Sequence, residues 1–252
     1  RGVFACIIPF LSANFAKVKL SNCGTAPEQQ IQKPPTNQTN SFQMADCITC
    51  KNKNCLINKN STDPRLANFL KNKHTIKCKK SQQFIMEGTP AHGLFFAYEG
   101  KVKVVKTGVN DREQIVRFAK DGEIIGHRGG FGSSKYYSIS AQALEDSTLC
   151  YFSKEDLKNI LLNIPKLTFD FMLFYADELS ESETRVRKLA QMSVKERVID
   201  TLLFMDTKFG STDQLLNISL SRKDYADYSG TTEEQVIRIL STLKKEGLLN
   251  AK

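Results

Sequence analysis

The stretch Leu220–Leu249, LSRKDYADYSGTTEEQVIRILSTLKKEGLL, decides how this chain is read. Apolar or small residues recur at helical spacing through Tyr225, Ala226 and Tyr228, and again through Val236, Ile239, Leu240 and Leu243. Ser221 is positioned to cap the first helix, and Asp224 three residues later makes a variant of the capping box. Gly230 supplies the left-handed conformation that lets a chain leave a helix sharply. Thr231 or Thr232 then caps a second helix, whose first turn carries Glu233 and Glu234, where the helix dipole favours carboxylates. Two short helices around such a corner form a helix-turn-helix, and the N-terminal end of the second enters the DNA major groove. The alternative is an ordinary helical hairpin whose glutamates solvate one face.

Composition sets the frame for that motif. With 252 residues, 40% hydrophobic and 25% charged, the chain has the make-up of a globular protein with room for two domains. No apolar run reaches the length of about eighteen residues that suggests a membrane helix, so no membrane partner and a cytoplasmic location are expected. The net charge of +9 suits a nucleic-acid partner, but its distribution does not single out the motif. Residues 1–80 carry 13 Lys/Arg against 3 Asp/Glu, residues 81–192 carry 14 against 15, and residues 193–252 carry 9 of each. DNA binding must therefore be argued from where individual cations point, not from their sum. Only three histidines are present, and no Ser/His/Asp or paired-carboxylate constellation stands out, so an enzyme is not expected.

Residues 1–43 pass from a short apolar stretch into the polar tract QQIQKPPTNQTN, which lacks the apolar content that offsets the entropy of ordering. They read as disordered or as sequence upstream of a true start at Met44, with a secretory signal as the alternative. Residues 44–73 follow as a separate segment. There Cys47, Cys50 and Cys55, spaced C-x2-C-x4-C in a loop rich in lysine and asparagine, suggest a metal or cluster clip rather than a disulfide framework. A short amphipathic helix is expected within residues 63–80, around Leu66, Phe69 and Leu70.

Residues 74–152 change period, within a sensor domain expected over residues 74–164. Short alternating runs at Thr75–Cys78, Phe84–Met86, Leu94–Tyr98, Lys101–Lys106, Gln114–Phe118, Ser138–Leu144 and Thr148–Phe152, punctuated by glycines, predict an antiparallel sandwich or barrel. A short helix is expected over residues 154–163. Pro165 then opens a long helix over residues 165–192. Met172, Ala176, Leu179, Val186 and Ala190 recur along it at three- and four-residue steps, interrupted by Glu183. This stripe is either a coiled-coil seam between two copies or a face packed on the chain's own sheets. A further helix, Val194–Phe204, leads into the helix-turn-helix, so that residues 193–252 form a DNA-binding unit.

From about residue 47 onward the chain resembles the CRP/FNR family of bacterial transcription regulators. The glycine punctuation in EGKVKV and KDGEIIG resembles the family's cyclic-nucleotide-binding β-roll, and Glu234 and Arg238 match the Glu and Arg with which its recognition helix reads base edges. The resemblance implies an α+β protein: an N-terminal double-stranded β-helix of jelly-roll type, a long dimerisation helix and a C-terminal winged helix-turn-helix. It implies a homodimer that reads a palindromic operator in double-stranded DNA and works with RNA polymerase. Ser221 and Arg222 would then contact phosphate, while Thr232, Glu233, Glu234 and Arg238 would lie at the groove. Glu233 stands where the catabolite-activator branch has an arginine.

The family's ligand pocket does not carry over. Its Gly-Glu and Arg-Ser pairs, which hold ribose and cyclic phosphate, correspond to Gly126-His127 and Tyr137-Ser138, so cyclic AMP is not expected. Arg128 is expected at the surface or a strand edge, and His127 packed or solvated. The oxygen-sensing branch holds a [4Fe–4S] cluster with three N-terminal cysteines and a fourth in the β-roll. Cys47, Cys50 and Cys55 match the first three, with one residue fewer in the second gap, and Cys150 in AQALEDSTLCYFSKEDL matches the fourth. Zinc with Cys78 or a histidine as fourth ligand, or no metal, are the other readings of these cysteines. Two other functions compete with the regulator. One is a cyclic-nucleotide module of a kinase or channel, which would lack the helix-turn-helix. The other is a redox carrier built on Cys47 and Cys50, which would need a thioredoxin-like or flavin context.

Overall fold

The computed structural model describes residues 46–129, 134–213 and 215–249, all within the unit Gln43–Lys252. The readings of residues 1–43, with Cys6 and Cys23, and of Met44 as a start lie outside the described residues. Two short helices, α1 (Leu56–Lys59) and α2 (Leu66–Leu70), precede eight strands: β1 (His74–Cys78), β2 (Gln83–Ile85), β3 (Gly93–Glu99), β4 (Val102–Thr107), β5 (Glu113–Ala119), β6 (Ile124–Ile125), β7 (Ser140–Ala143) and β8 (Ser147–Ser153). Then come α3 (Lys154–Asn163), α4 (Pro165–Gln191), α5 (Val194–Phe209), a two-residue-strand hairpin of β9 (Ser211–Thr212) and β10 (Leu215–Leu216), α6 (Arg222–Ser229) and α7 (Glu233–Lys245).

The eight strands form two antiparallel sheets, ordered β1-β8-β3-β6 and β2-β7-β4-β5. Strand alternation explains why three apolar cores result. In β3, Phe95 and Ala97 face the second sheet, where they and Leu149 of the neighbouring β8 meet Val102, Val104 and Ala141. Leu94 and Phe96 face the other way, into a core shared with Ile57, Leu66, Leu157, Ile160, Leu167 and Phe171 of the helices. A strand covered on both faces needs a continuous apolar run, and GLFFA is one. On the far side of the second sheet, Val105, Ile115 and Phe118 join Val198, Met205, Tyr225, Val236 and Leu240 in a third core. The helix-turn-helix is thus seated on the sheet rather than tethered to it.

Several expectations change here. The lysine- and asparagine-rich segment after Cys50 contains a helical turn, α1, because Ile57 is buried under α4 and fixes it. The helix expected within residues 63–80 is confined to Leu66–Leu70, and the chain is already a strand at His74. Helix α5 runs five residues past Phe204, to a stop at Gly210 (φ +75°). On α4 the buried residues are Leu167, Phe171 and Glu178, whereas Met172, Ala176, Leu179, Val186 and Ala190 face solvent. The stripe therefore does not pack on its own β-roll.

Candidate DNA-binding surface and sensor pockets

The helix-turn-helix is built by local chemistry. Ser221 Oγ accepts from the Asp224 amide (3.1 Å), and the Asp224 carboxylate accepts from the Ser221 amide (3.0 Å), completing the capping box of α6. Gly230 ends α6 in the left-handed region (φ +67°, ψ +49°). Thr232, not Thr231, caps α7 by accepting from the Gln235 amide. Helix α7 buries Val236, Ile239, Leu240 and Leu243 against α5 and α6. Its other face presents Thr232, Glu233, Glu234, Ile237, Arg238 and Ser241 to solvent. Glu234 is held ionised, its carboxyl lowered first by its own backbone amide and then by the Thr232 hydroxyl. Arg238 is exposed one turn further along. Ser221 differs from the expectation in one respect: its hydroxyl also donates to Asp224 Oδ2 (2.6 Å), so within this arrangement it is committed to the cap.

Polar contacts tie α6 to the second sheet. Lys103 Nζ on β4 lies 2.7 Å from Asp224 Oδ1, with both side chains nearly out of solvent. Burial raises the Asp224 carboxyl, but Lys103 and the Ser221 donors outweigh it and hold the group below its ordinary value. Arg185 of α4 donates to the Tyr228 carbonyl (2.8 Å), to Val116 O (3.1 Å) and to Ile115 O, with its guanidinium 4.0 Å from the Tyr228 ring. Arg197 of α5 donates to Ser229 O (2.8 Å) and Gly230 O (3.1 Å), fixing the corner itself.

On the opposite side of the molecule, Cys47, Cys50, Cys55 and Cys150 line one small cavity together with Lys73. Cys150 comes from β8, paired with Phe96 of β3, so the sheet supplies its floor. The Asn58 side chain donates to the Cys47 carbonyl and the Asn52 side chain to the Tyr98 carbonyl (2.6 Å), holding the cysteine loop over it. Burial pushes the Cys55 thiol up to about 11 and the Cys150 thiol up to about 12. Burial also raises Cys47, with Lys73 acting in the opposite direction. These free thiols are therefore neutral at pH 7, and any metal centre there must displace protons. Among the described residues no three His, Cys, Asp or Glu side chains converge closely enough for a single metal ion. A zinc ion with bonds of about 2.3 Å requires such convergence. Four cysteines lining one cavity are the donor set that an iron–sulfur cluster takes. Cys78 lies in the core between the sheets, away from the other cysteines, so it is no candidate fourth ligand.

A second pocket lies between the β-roll and α4. Glu178 of α4 is buried there, with Arg117 Nε at 2.9 Å, His127 Nε2 at 3.2 Å and Arg128 Nη2 at 3.3 Å. Burial raises its carboxyl, yet the histidine and the two arginines together hold it at about 2. His127 is lowered by burial, against the pull of Glu178, and packs edge-on against Phe174 and Tyr175. Arg128 is exposed, as expected, and from the surface its guanidinium also reaches Glu178 and Ser182 Oγ (3.1 Å).

Two family models match the chain: the cyclic nucleotide-binding domain over residues 75–163 and the Crp-like helix-turn-helix domain over residues 196–252. The chain belongs to the CRP/FNR family. An anaerobic regulatory protein of Bacillus subtilis (strain 168) is 27% identical over 177 residues, 69% of this chain and 74% of the relative. Electron transport regulator A of Shewanella oneidensis is 27% identical over 199 residues, 78% of each chain. Among solved structures, FixK2 from Bradyrhizobium japonicum shares the fold at a TM-score of 0.64 and 25% identity, covering 71% of this chain and 88% of that one. The global regulator CLP of Xanthomonas campestris shares it at 0.67 and 23%, covering 74% and 94%.

As a CRP/FNR member the chain is a transcription regulator with a helix-turn-helix DNA-binding domain and a β-roll that matches the cyclic nucleotide-binding domain, and its family is not one of enzymes. Among the described residues no helix is long and apolar enough to cross a membrane. Three functional residues escaped the sequence reading. Glu178 had a signal: Phe171, Phe174, Tyr175 and Glu178 share a face at helical spacing, and a carboxylate on an aromatic face calls for a cation. Lys103 and Lys73 had none, since each is one lysine among several neighbours.

Proposed function

We propose that this CRP/FNR regulator acts as a homodimer that reads a palindromic operator with α7, and that its signal is the state of a [4Fe–4S] cluster held by Cys47, Cys50, Cys55 and Cys150. The supporting observation for the signal is the cavity into which the three neighbouring thiols of Cys47, Cys50 and Cys55 and the sequence-distant Cys150 fold beside a buried ammonium. The names of relatives, an anaerobic regulatory protein and an electron transport regulator, agree with a redox signal. When bound, such a cluster supplies oxygen-labile iron–sulfur bonds. The proposed division is a cysteine segment over 44–73, a sensor roll over 74–164, a dimerisation helix over 165–192 and a DNA-binding unit over 193–252, in a cytoplasmic protein that contacts RNA polymerase.

This chain's residues provide a route from cavity to dimer helix. Asn60, just after the cysteine loop, donates to Asp170 Oδ2 on α4 (2.8 Å), and Lys166 Nζ reaches both Asn60 Oδ1 and Asp170 (3.2 Å each). Ile57 packs in the same core as Leu167 and Phe171 of α4. Rearranging the cysteine loop therefore repositions the first half of that helix. The second pocket argues against a cyclic nucleotide as effector, because the Glu178 carboxylate already occupies its cations and would repel a phosphate.

Protein prepared without air is expected to be brown and to contain iron and sulfide, and Cys150→Ala is expected to abolish both. Colourless, iron-free protein from strictly anaerobic cells would remove the cluster. A second measurement addresses base reading. If Glu234 accepts from a cytosine amino group and Arg238 bonds a guanine edge, each carries about 1–3 kcal/mol of discrimination. Arg238→Ala should relax preference at one base pair per half-site, whereas Arg222→Ala should weaken binding to all sequences alike with a shallower salt slope. Selection of binding sites from a random pool checks both, and an unaltered preference in Arg238→Ala would dismiss α7 as the reading helix.

A further inference from the structure

Lys73 is buried to 4% exposure, although lysine is among the residues least often found inside. Its backbone amide closes the turn after α2 by donating to Leu70 O (3.2 Å), which points the side chain inward. The partner of its Nζ is Cys47 Sγ at 3.6 Å. It lines the cavity of the four cysteines, and among the described residues no carboxylate shares that lining. A buried ammonium without an anion beside it is destabilising. Neutral thiols do little to offset this, and thiolates offset it fully. The cavity is thus built for a net negative occupant.

We propose that Lys73 is the fixed counter-charge of this cavity, setting how easily the centre held by the cysteines gains or loses an electron. This rests on the cluster reading above. Four thiolates around a [4Fe–4S] core leave a dianion, and cluster potentials follow net charge and hydrogen bonds to sulfur. Lys73 contributes both, an adjacent positive charge and a donor to Cys47 Sγ. It favours the more reduced state, so that loss of an electron to oxygen is slower with Lys73 than without it. Lys73 is a positioning residue and no ligand, since an ammonium has no lone pair.

The test uses the full chain purified without air as wild type, Lys73→Met, Lys73→Arg and Lys73→Gln. Iron and sulfide are assayed first. The potential for one-electron reduction by dithionite and the rate of bleaching on admission of air are measured next. Lys73→Met is expected to hold wild-type iron, to bleach several-fold faster and to reduce at a more negative potential, with Lys73→Arg restoring both. A fully loaded Lys73→Met with wild-type bleaching and potential overturns the role of Lys73 alone. An iron-free wild type overturns the cluster reading beneath it. Should Lys73→Met fail to load, recovery of iron by Arg and not by Gln supports the counter-charge, while recovery by Gln, or by neither, overturns it.

Discussion

Asp224→Ala is expected to destabilise the folded protein by about 3–5 kcal/mol, the usual cost of removing one partner from a buried ion pair. Two losses coincide in that change. Lys103 Nζ, 2.7 Å from the carboxylate, would keep a buried charge with no anion beside it, and α6 would lose the reciprocal half of its capping box. Asp224→Asn should be milder, because an amide oxygen still accepts from the Ser221 amide. Urea unfolding measures the series. A loss below about 1 kcal/mol would mean that Lys103 escapes to water and that α6 is not anchored through it. The pH dependence has a definite sign. The Asp224 carboxyl is held below the ordinary Asp value of about 3.9, so its stabilisation is fully present above that value and is lost as pH falls through the depressed one. The gap between wild type and Asp224→Ala should therefore narrow in acid.

Leu179→Asp is expected to split the proposed dimer while leaving the protomer folded. Leu179 is 61% exposed, with Met172 at 56% and Val186 at 65% one heptad to either side, so an aspartate there costs the single chain little. In a two-fold seam the same change buries two unpaired carboxylates. At about 3 kcal/mol or more, this weakens association over a hundredfold. Operator affinity should fall with it, because each half-site needs its own α7 at the spacing of a two-fold dimer. Sedimentation at micromolar concentration reads the assembly directly. A variant that stays dimeric would place the contact elsewhere on the surface.

The sequence alone determined whatever local chemistry determines. Ser221, Asp224 and Gly230 specify the start and stop of α6 because caps and left-handed turns involve neighbours a few residues apart. The exposed order of Thr232, Glu233, Glu234 and Arg238 follows from helical periodicity, as does the alternation of the strands. The stripe on α4 was legible as a stripe, but its direction was not. Whether Leu179 met a sheet or solvent depended on Phe171 and Glu178, a quarter-turn away, winning the inward face. Only tertiary structure could pair Lys103 with Asp224, 121 residues apart, or give Glu178 its two arginines. The same holds for the cavity where Cys150 meets the three N-terminal cysteines around Lys73. A buried charge is decided by the partners that packing brings to it, and a lysine bound for the interior carries no mark in sequence that separates it from its exposed neighbours.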